Sequence, residues 1–287
     1  MTLFDAGFRS MVRQLARSRR RPRGAEEESV RARRRRASPS GTFAGHRGYA
    51  PGEDLRGLDW NAYARSGELF VKVLHEEDRR TLDILLDRSP SMDAGSPSRW
   101  DGARRLTAVV AGLALTRLDG VRVISGDRIE AFHAHASLDA MFDALDGLAV
   151  ESGGATDAIH TWASRGLRGR VVWVSDFARP EEAIQGLARL GRVRRAACGL
   201  LPMIAEDSAP TIDGHVELFD PEESRRVRVR VDAKLRAAVA EELAALARHQ
   251  DAAFQAAGVP LIRQRIPGPA DEVDVEGWIS GGVGEWI

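Results

Sequence analysis

Three stretches of this 287-residue chain put oxygen-bearing side chains at the ends of apolar runs or next to glycine-rich turns. Leu82-Asp83-Ile84-Leu85-Leu86 leads into Asp87-Arg88-Ser89-Pro90-Ser91, an Asp-x-Ser-x-Ser pattern. Ser152-Gly153-Gly154-Ala155-Thr156-Asp157 delivers Thr156 just ahead of a helical pattern, and Val171-Val172-Trp173-Val174-Ser175-Asp176 ends a second apolar run in aspartate. Asp87, Ser89, Ser91, Thr156 and Asp176 are all hard oxygen donors. Such a set suits Mg²⁺, with Mn²⁺ or Ca²⁺ as variants, and disfavours zinc. Hydroxyl ligands leave much of the cation's charge uncompensated, so an open position attracts a carboxylate from a partner. The competing reading makes Ser89 and Ser91 helix caps and Asp87 a strand-end cap. The first motif alone favours the caps; together with the other two loops it favours the cation.

For these loops to meet, the chain must form an open α/β sheet. From Thr81 onward strand and helix patterns alternate, which predicts a doubly wound, mostly parallel sheet. Strands are expected at 82–86, 121–125, 129–133, 171–175, 194–200 and 259–266. Helices are expected at about 99–118, 138–148, 157–167, 180–190 and 233–257. Gly126-Asp127 predicts a hairpin that makes the second and third strands antiparallel neighbours at one edge. A further hairpin around Asp220-Pro221-Glu222-Glu223 joins Val216–Phe219 to Val227–Val231. In the strand order 3-2-1-4-5-6, ligands bind beyond the carboxyl ends of strands one and four, where the order reverses. Asp87 and Asp176 end those two strands.

Composition narrows the class. An apolar fraction of 43% and a charged fraction of 29% suit a core-forming soluble protein. The longest apolar stretch, Leu106–Leu115, is about half of what spans a bilayer, and Arg9 and Arg13 interrupt any secretory signal. The single cysteine, Cys198, allows no internal disulfide and no Cys-based zinc site and reads as a buried strand thiol. The expected compartment is the cytoplasm. The formal net charge of zero conceals an uneven spread, Arg-rich in residues 1–36 and acidic in the final twenty. Only Lys72 and Lys234 are lysines, so the arginine excess carries little weight for specific nucleic-acid binding.

Four regions are expected. Residues 1–40 comprise a basic amphipathic helix, with Phe4, Phe8, Met11, Val12 and Leu15 at helical spacing, and an Arg/Glu/Ser/Pro-rich linker. The helix suits packing on the domain or a partner, or peripheral contact with an anionic membrane. Residues 41–80 form a β extension, 81–267 the main domain and 268–287 an acidic tail carrying Trp278 and Trp286.

The five candidate ligands resemble the metal-ion-dependent adhesion site of von Willebrand factor A domains. The run His46-Arg47-Gly48-Tyr49-Ala50-Pro51-Gly52-Glu53-Asp54-Leu55-Arg56-Gly57-Leu58-Asp59-Trp60-Asn61-Ala62-Tyr63-Ala64-Arg65 resembles the signature of a bacterial family catalogued as domain of unknown function number fifty-eight. Glu53 stands where that family often has Asp. The resemblance spans roughly residues 41–266. It implies a von Willebrand A-like fold with an N-terminal β extension and an adaptor working with a MoxR-type AAA+ ATPase, which is often encoded beside family members. It also suggests a client that supplies an acidic residue to the metal, and it marks Arg56, Asp59, Trp60 and Arg65 as candidate partner contacts. Many longer members carry transmembrane helices before the signature, where this chain has its basic helix.

Other chemistries find less support. His75-Glu76-Glu77-Asp78-Arg79 lacks the second histidine of a zinc-protease helix, and there is no Walker A or Gly-x-Ser-x-Gly motif. Asp87-Arg88-Ser89 lacks the second Asp of aspartate-nucleophile phosphatases. His133 and His135 share a strand face without a third ligand and read as an edge-strand pair. A metal-dependent phosphoester hydrolase is the enzymatic alternative; no His, Lys or Glu near the three loops is expected as its general base. A nucleic-acid or membrane-surface binder working through the Arg-rich end is the third reading.

Overall fold

The computed structural model describes residues 3–18, 42–49, 58–75, 81–118, 120–133, 138–151, 155–192, 196–207 and 212–266. Arg56, His135, Ser152–Gly154, the 19–40 linker and the 268–287 tail lie outside the described residues. Two compact units emerge, one of residues 1–20 with 81–287 and one of residues 21–80.

In the smaller unit, β1 (Thr42–Gly48) pairs antiparallel with β2 (Phe70–His75), and α1 (Trp60–Ser66) lies between them in sequence. The helix starts because Asp59, extended in backbone, accepts the N–H groups of Asn61 and Ala62 on its carboxylate. It stops at Gly67, whose φ of 71° suits glycine in the left-handed region.

The larger unit is built on a six-stranded sheet. Its strands are β3 (Thr81–Leu86), β4 (Gly120–Ser125), β5 (Arg128–His133), β6 (Arg170–Val174), β7 (Ala197–Met203) and β10 (Leu261–Arg265). The spatial order is β10-β7-β6-β3-β4-β5, parallel throughout except for the antiparallel edge pair β4–β5. This is the expected doubly wound order, with the reversal between β3 and β6. Strand β7 runs three residues further than the pattern indicated, because β10 pairs along it as far as Met203.

Alternating residues explain the two faces. Leu82, Ile84 and Leu86 join one apolar cluster, and Leu85, with Val171 and Trp173, joins the other. On the first face lie α2 (Arg99–Arg117) and α3 (Leu138–Asp146); on the second lie α4 (Asp157–Ser164), α5 (Pro180–Arg192) and Phe254 of α6 (Ala233–Ala257). Cys198 is buried in β7, and burial pushes its thiol up to about 12.

Helix α2 has apolar residues on nearly every side, the pattern of a fully enclosed helix. Its outer side is covered by the N-terminal helix α0 (Ala6–Ser18), which buries Phe8, Val12, Leu15 and Ala16. Close approach is possible at Gly112, where a Cβ would lie 2.8 Å from Val12 Cγ1. Arg9 pairs with Asp139 and Asp143 of α3, and Arg13 with Asp139. The apolar face of the basic helix is therefore occupied by the helix's own domain. No helix among the described residues is long and apolar enough to cross a membrane.

Two further strands, β8 (Gly214–Asp220) and β9 (Arg225–Val231), form the expected second hairpin, separate from the central sheet.

Candidate metal centre

Asp87 follows the last residue of β3, and its N–H donates to the carbonyl of Val174, carrying the β3–β6 pairing one step further. Its carboxylate is buried, only 2% of the residue being exposed. Oδ1 accepts the Ser89 N–H at 2.9 Å and Oδ2 accepts the Ser175 hydroxyl at 2.6 Å. The hydroxyls of Ser89 and Ser91 are 3.1 Å apart, at the start of a short 3₁₀ turn over Pro90–Asp93. Ser89 makes no side-chain capping bond there, and Ser98 is the residue that caps α2. The helix-cap reading of the two serines is thereby not the arrangement found.

Asp176 lies two residues past the end of β6. Its Oδ1 accepts the Ala178 N–H at 3.0 Å, and its Oδ2 accepts from Arg99 Nη1 at 3.3 Å. The next residue, Phe177, has φ of 49°, unusual for a bulky side chain and costing about 1–3 kcal/mol. The turn is held by a bond from its N–H to Ser175 Oγ and by Gln250 of α6, which donates to the carbonyls of Asp176 and Phe177. The Phe177 ring packs edge-on against Trp173 and Phe254, with centroids 4.9 Å away in each case. These bonds and ring contacts hold the turn that presents Asp176.

Asp87, Ser89, Ser91 and Asp176 line one cavity of about 70 Å³. That is room for an ion and a few waters, each needing about 10–15 Å³. Thr156 is half-buried at the start of α4 and makes no capping bond; its neighbour Ala155 lines the cavity, and Thr156 itself is not among the lining residues. Four of the five expected ligands thus share one space, and Thr156 is not brought into its lining.

The charge of Asp176 bears on the ionisation of Asp87. Burial pushes the Asp87 carboxyl up to about 6, and the charge of Asp176 pushes the same way, against the bonds from Ser175 and Ser89. Each carboxylate oxygen accepts one hydrogen bond and retains lone-pair capacity. Two carboxylates with two hydroxyls fit Mg²⁺ in donor type. Among the described residues no group of three or more His, Cys, Asp or Glu side chains is placed to hold a metal, so hydroxyl donors are integral to any site here.

Several residues at this site carried no recognisable signal. Ser175 orients Asp87, and only its place beside Asp176 hinted at it. Arg99, buried and bonded to Asp176, Asp207 and the Pro202 carbonyl, is positioned by the packing of α2. Glu182 of α5 and Glu222 of the β8–β9 turn also line the cavity. The expectation that no Glu stands near the ligand loops is corrected by these two, which reach it from elements remote in sequence. His133 is exposed on the edge strand β5.

Of the signature residues, Asp59 is buried as the cap of α1, whereas Arg65 is exposed and Trp60 is 61% exposed, edge-on to Tyr63 at 6.3 Å.

No curated protein matches the chain. Among solved structures it is similar to the conserved hypothetical protein BatB from Bacteroides thetaiotaomicron. Identity there is 15% over 71% of this chain and 97% of that one, with a TM-score of 0.42. An aerotolerance-related membrane protein from Bacteroides fragilis is 16% identical over 71% of this chain and 98% of that one, with a TM-score of 0.38. Proximal thread matrix protein 1 from the mussel byssus covers 42% of this chain and 35% of its own at 13% identity and a TM-score of 0.32. The family described as protein of unknown function DUF58 matches residues 45–251, well over half of the 287. That match places this chain in the DUF58 family.

Proposed function

We propose that this protein is a non-enzymatic adaptor of the cytoplasm that docks an acidic side chain of a partner through one divalent cation, Mg²⁺ before Mn²⁺ or Ca²⁺. The observation that supports this most is the convergence of Asp87, Ser89, Ser91 and Asp176 on one small cavity beyond the switch point of the sheet. In this reading Asp87 and Asp176 supply negative charge and Ser89 and Ser91 supply neutral oxygens, with Thr156, next to the lining residue Ala155, as the proposed fifth donor. When bound, the cation would offer an incompletely neutralised charge to an incoming carboxylate. Ser175 holds Asp87 in register and Gln250 holds the Asp176 turn.

The partner we propose is a MoxR-type AAA+ ATPase, with exposed Trp60 and Arg65 as a second contact and a client as another source of the acidic side chain. The test is a binding titration of the protein against a MoxR-type AAA+ ATPase from the same cells, with Mg²⁺ and with chelator. Asp87→Ala is expected to fold and to lose binding to the level seen with chelator. An Asp87→Ala variant that binds the ATPase as tightly as wild type sinks the reading, and turnover of generic phosphoesters with Mg²⁺ would replace it by the hydrolase alternative.

A further inference from the structure

Strands β8 and β9 make a two-stranded sheet of their own, and no other strand pairs with either of them among the described residues. In an antiparallel pair alternate backbone groups point away from the partner, so each outer edge offers donors and acceptors. The sequence of β9 alternates as Arg226-Val227-Arg228-Val229-Arg230. Register places Arg226, Arg228 and Arg230 opposite Phe219, Glu217 and His215 on one face, and Val227 and Val229 opposite Leu218 and Val216 on the other. The arginine face is open to solvent, while Val229 and Val216 are half-buried.

That face carries an excess of positive charge. Glu217 pairs with both Arg226 and Arg228 at 3.2 Å, and no ion pair to Arg230 is found among the described residues. Toward the turn, the other face leaves the opposed pair Leu218 and Val227 exposed, by 47% and 38%. A segment that completed the β9 edge would alternate carboxylates with apolar side chains, because successive side chains of a strand point to opposite faces. The chain contains such a segment, Glu272-Val273-Asp274-Val275-Glu276, which lies outside the described residues. It follows soon after Ile266, which is buried and donates its N–H to the Met203 carbonyl just past the end of β10. The six residues from Ile266 to Glu272 reach up to about 20 Å. Ile266 stands at the carboxyl end of the parallel strands, the end at which the hairpin's turn accepts the Ser91 N–H through Glu222.

We propose that residues 272–276 add to the outer edge of β9 as a third strand, with Glu272, Asp274 and Glu276 beside its three arginines and the valines side by side on the opposite face. Both runs read the same in charge forwards and backwards. Charge matching therefore sets the middle pair, Arg228 with Asp274, in either strand direction. A slip by one residue puts arginine beside valine, and a slip by two leaves one arginine without its carboxylate. The added strand closes an edge that would otherwise be a template for pairing with other chains.

The test is cross-linking in the full chain, whose one native thiol, Cys198, is buried. Arg228→Cys with Asp274→Cys puts new thiols on directly opposed residues, where a Cα separation of about 4.5–5.5 Å suits a disulfide. Mild oxidation of dilute protein is expected to close this pair within monomers, and much faster than the control pair Arg228→Cys with Ser280→Cys. Hydrogen exchange gives a second reading. Asp274→Arg is expected to speed exchange over residues 225–231 about fivefold, the scale of turning an exposed attraction into a repulsion. Arg228→Asp combined with Asp274→Arg is expected to restore the wild-type rate. Equal closure rates for the two cysteine pairs, or unaltered exchange in Asp274→Arg, overturn the third strand. A disulfide formed only between two molecules overturns it as well and assigns the edge to a second copy of the chain.

Discussion

The hydroxyl of Ser175 donates a 2.6 Å hydrogen bond to the buried carboxylate of Asp87, joining the ends of the two strands that flank the switch point. The same oxygen accepts the N–H of Phe177 and so also braces the turn that presents Asp176. One small side chain thus sets the orientation of both acids. Ser175→Ala should lower unfolding free energy by about 1.5–3 kcal/mol, the range for a hydrogen bond to a charged group. Urea denaturation measures this, and Mg²⁺ should recover less of the loss than it adds to wild type. An unchanged midpoint would mean that the bond is not formed in solution.

Arg99 predicts a separation of stability from affinity. Its guanidinium is buried with Asp176 and Asp207, so Arg99→Met should cost about 3–5 kcal/mol, as breaking a buried ion pair does. Removing that positive charge also frees Asp176 for a cation, and Mn²⁺ should bind more tightly to the folded variant. Calorimetric titration below the midpoint of thermal unfolding reads the second effect. Weaker Mn²⁺ binding would show that Arg99 matters as a support for Asp176 more than as a competitor.

Away from the site, Asp83 in β3 is fully buried and accepts from Arg122 Nε at 2.6 Å, Trp162 Nε1 at 2.8 Å and the Gly169 N–H at 2.9 Å. Burial raises its pKa, and Arg122 opposes the rise. Arg122→Met removes the main opposing group, so the folded-state pKa climbs further above the unfolded one. The folded protein then binds more protons than the unfolded chain between those two values, and stability falls as pH rises through that window. Arg122→Met is therefore expected to lose more stability at pH 8 than at pH 5. Equal losses at the two values would count against the pairing.

The N-terminal helix is testable by a single truncation. Phe8 is buried against Phe4 and Phe142, with Arg105 over its ring at 5.7 Å. Phe8→Ala should destabilise the larger unit by about 3–5 kcal/mol, the range for emptying a buried aromatic site. A loss below about 1 kcal/mol would mean that the helix is undocked in solution and its apolar face open to other surfaces.

Much of the larger unit was legible because its signals are local. Apolar runs of strand length ended at Asp87 and Asp176, Gly126-Asp127 marked the hairpin that reverses β5, and the helical periods from Arg99, Leu138, Asp157, Pro180 and Ala233 began at the observed residues. The signature run, by contrast, concealed helix α1, whose cap Asp59 and terminating Gly67 were visible but lay among residues that also suit a turn.

Residue order alone determined which strands end in oxygen donors, since side-chain alternation and apolar runs act over a few positions. Only tertiary structure decided what each donor touches. Ser175 over Asp87, Arg99 against Asp176, Glu222 at Ser91 and Val12 against Gly112 are pairs separated by 88, 77, 131 and 100 residues respectively. Contacts at such range depend on how the sheet and its helices pack, and no local pattern of residue types records them.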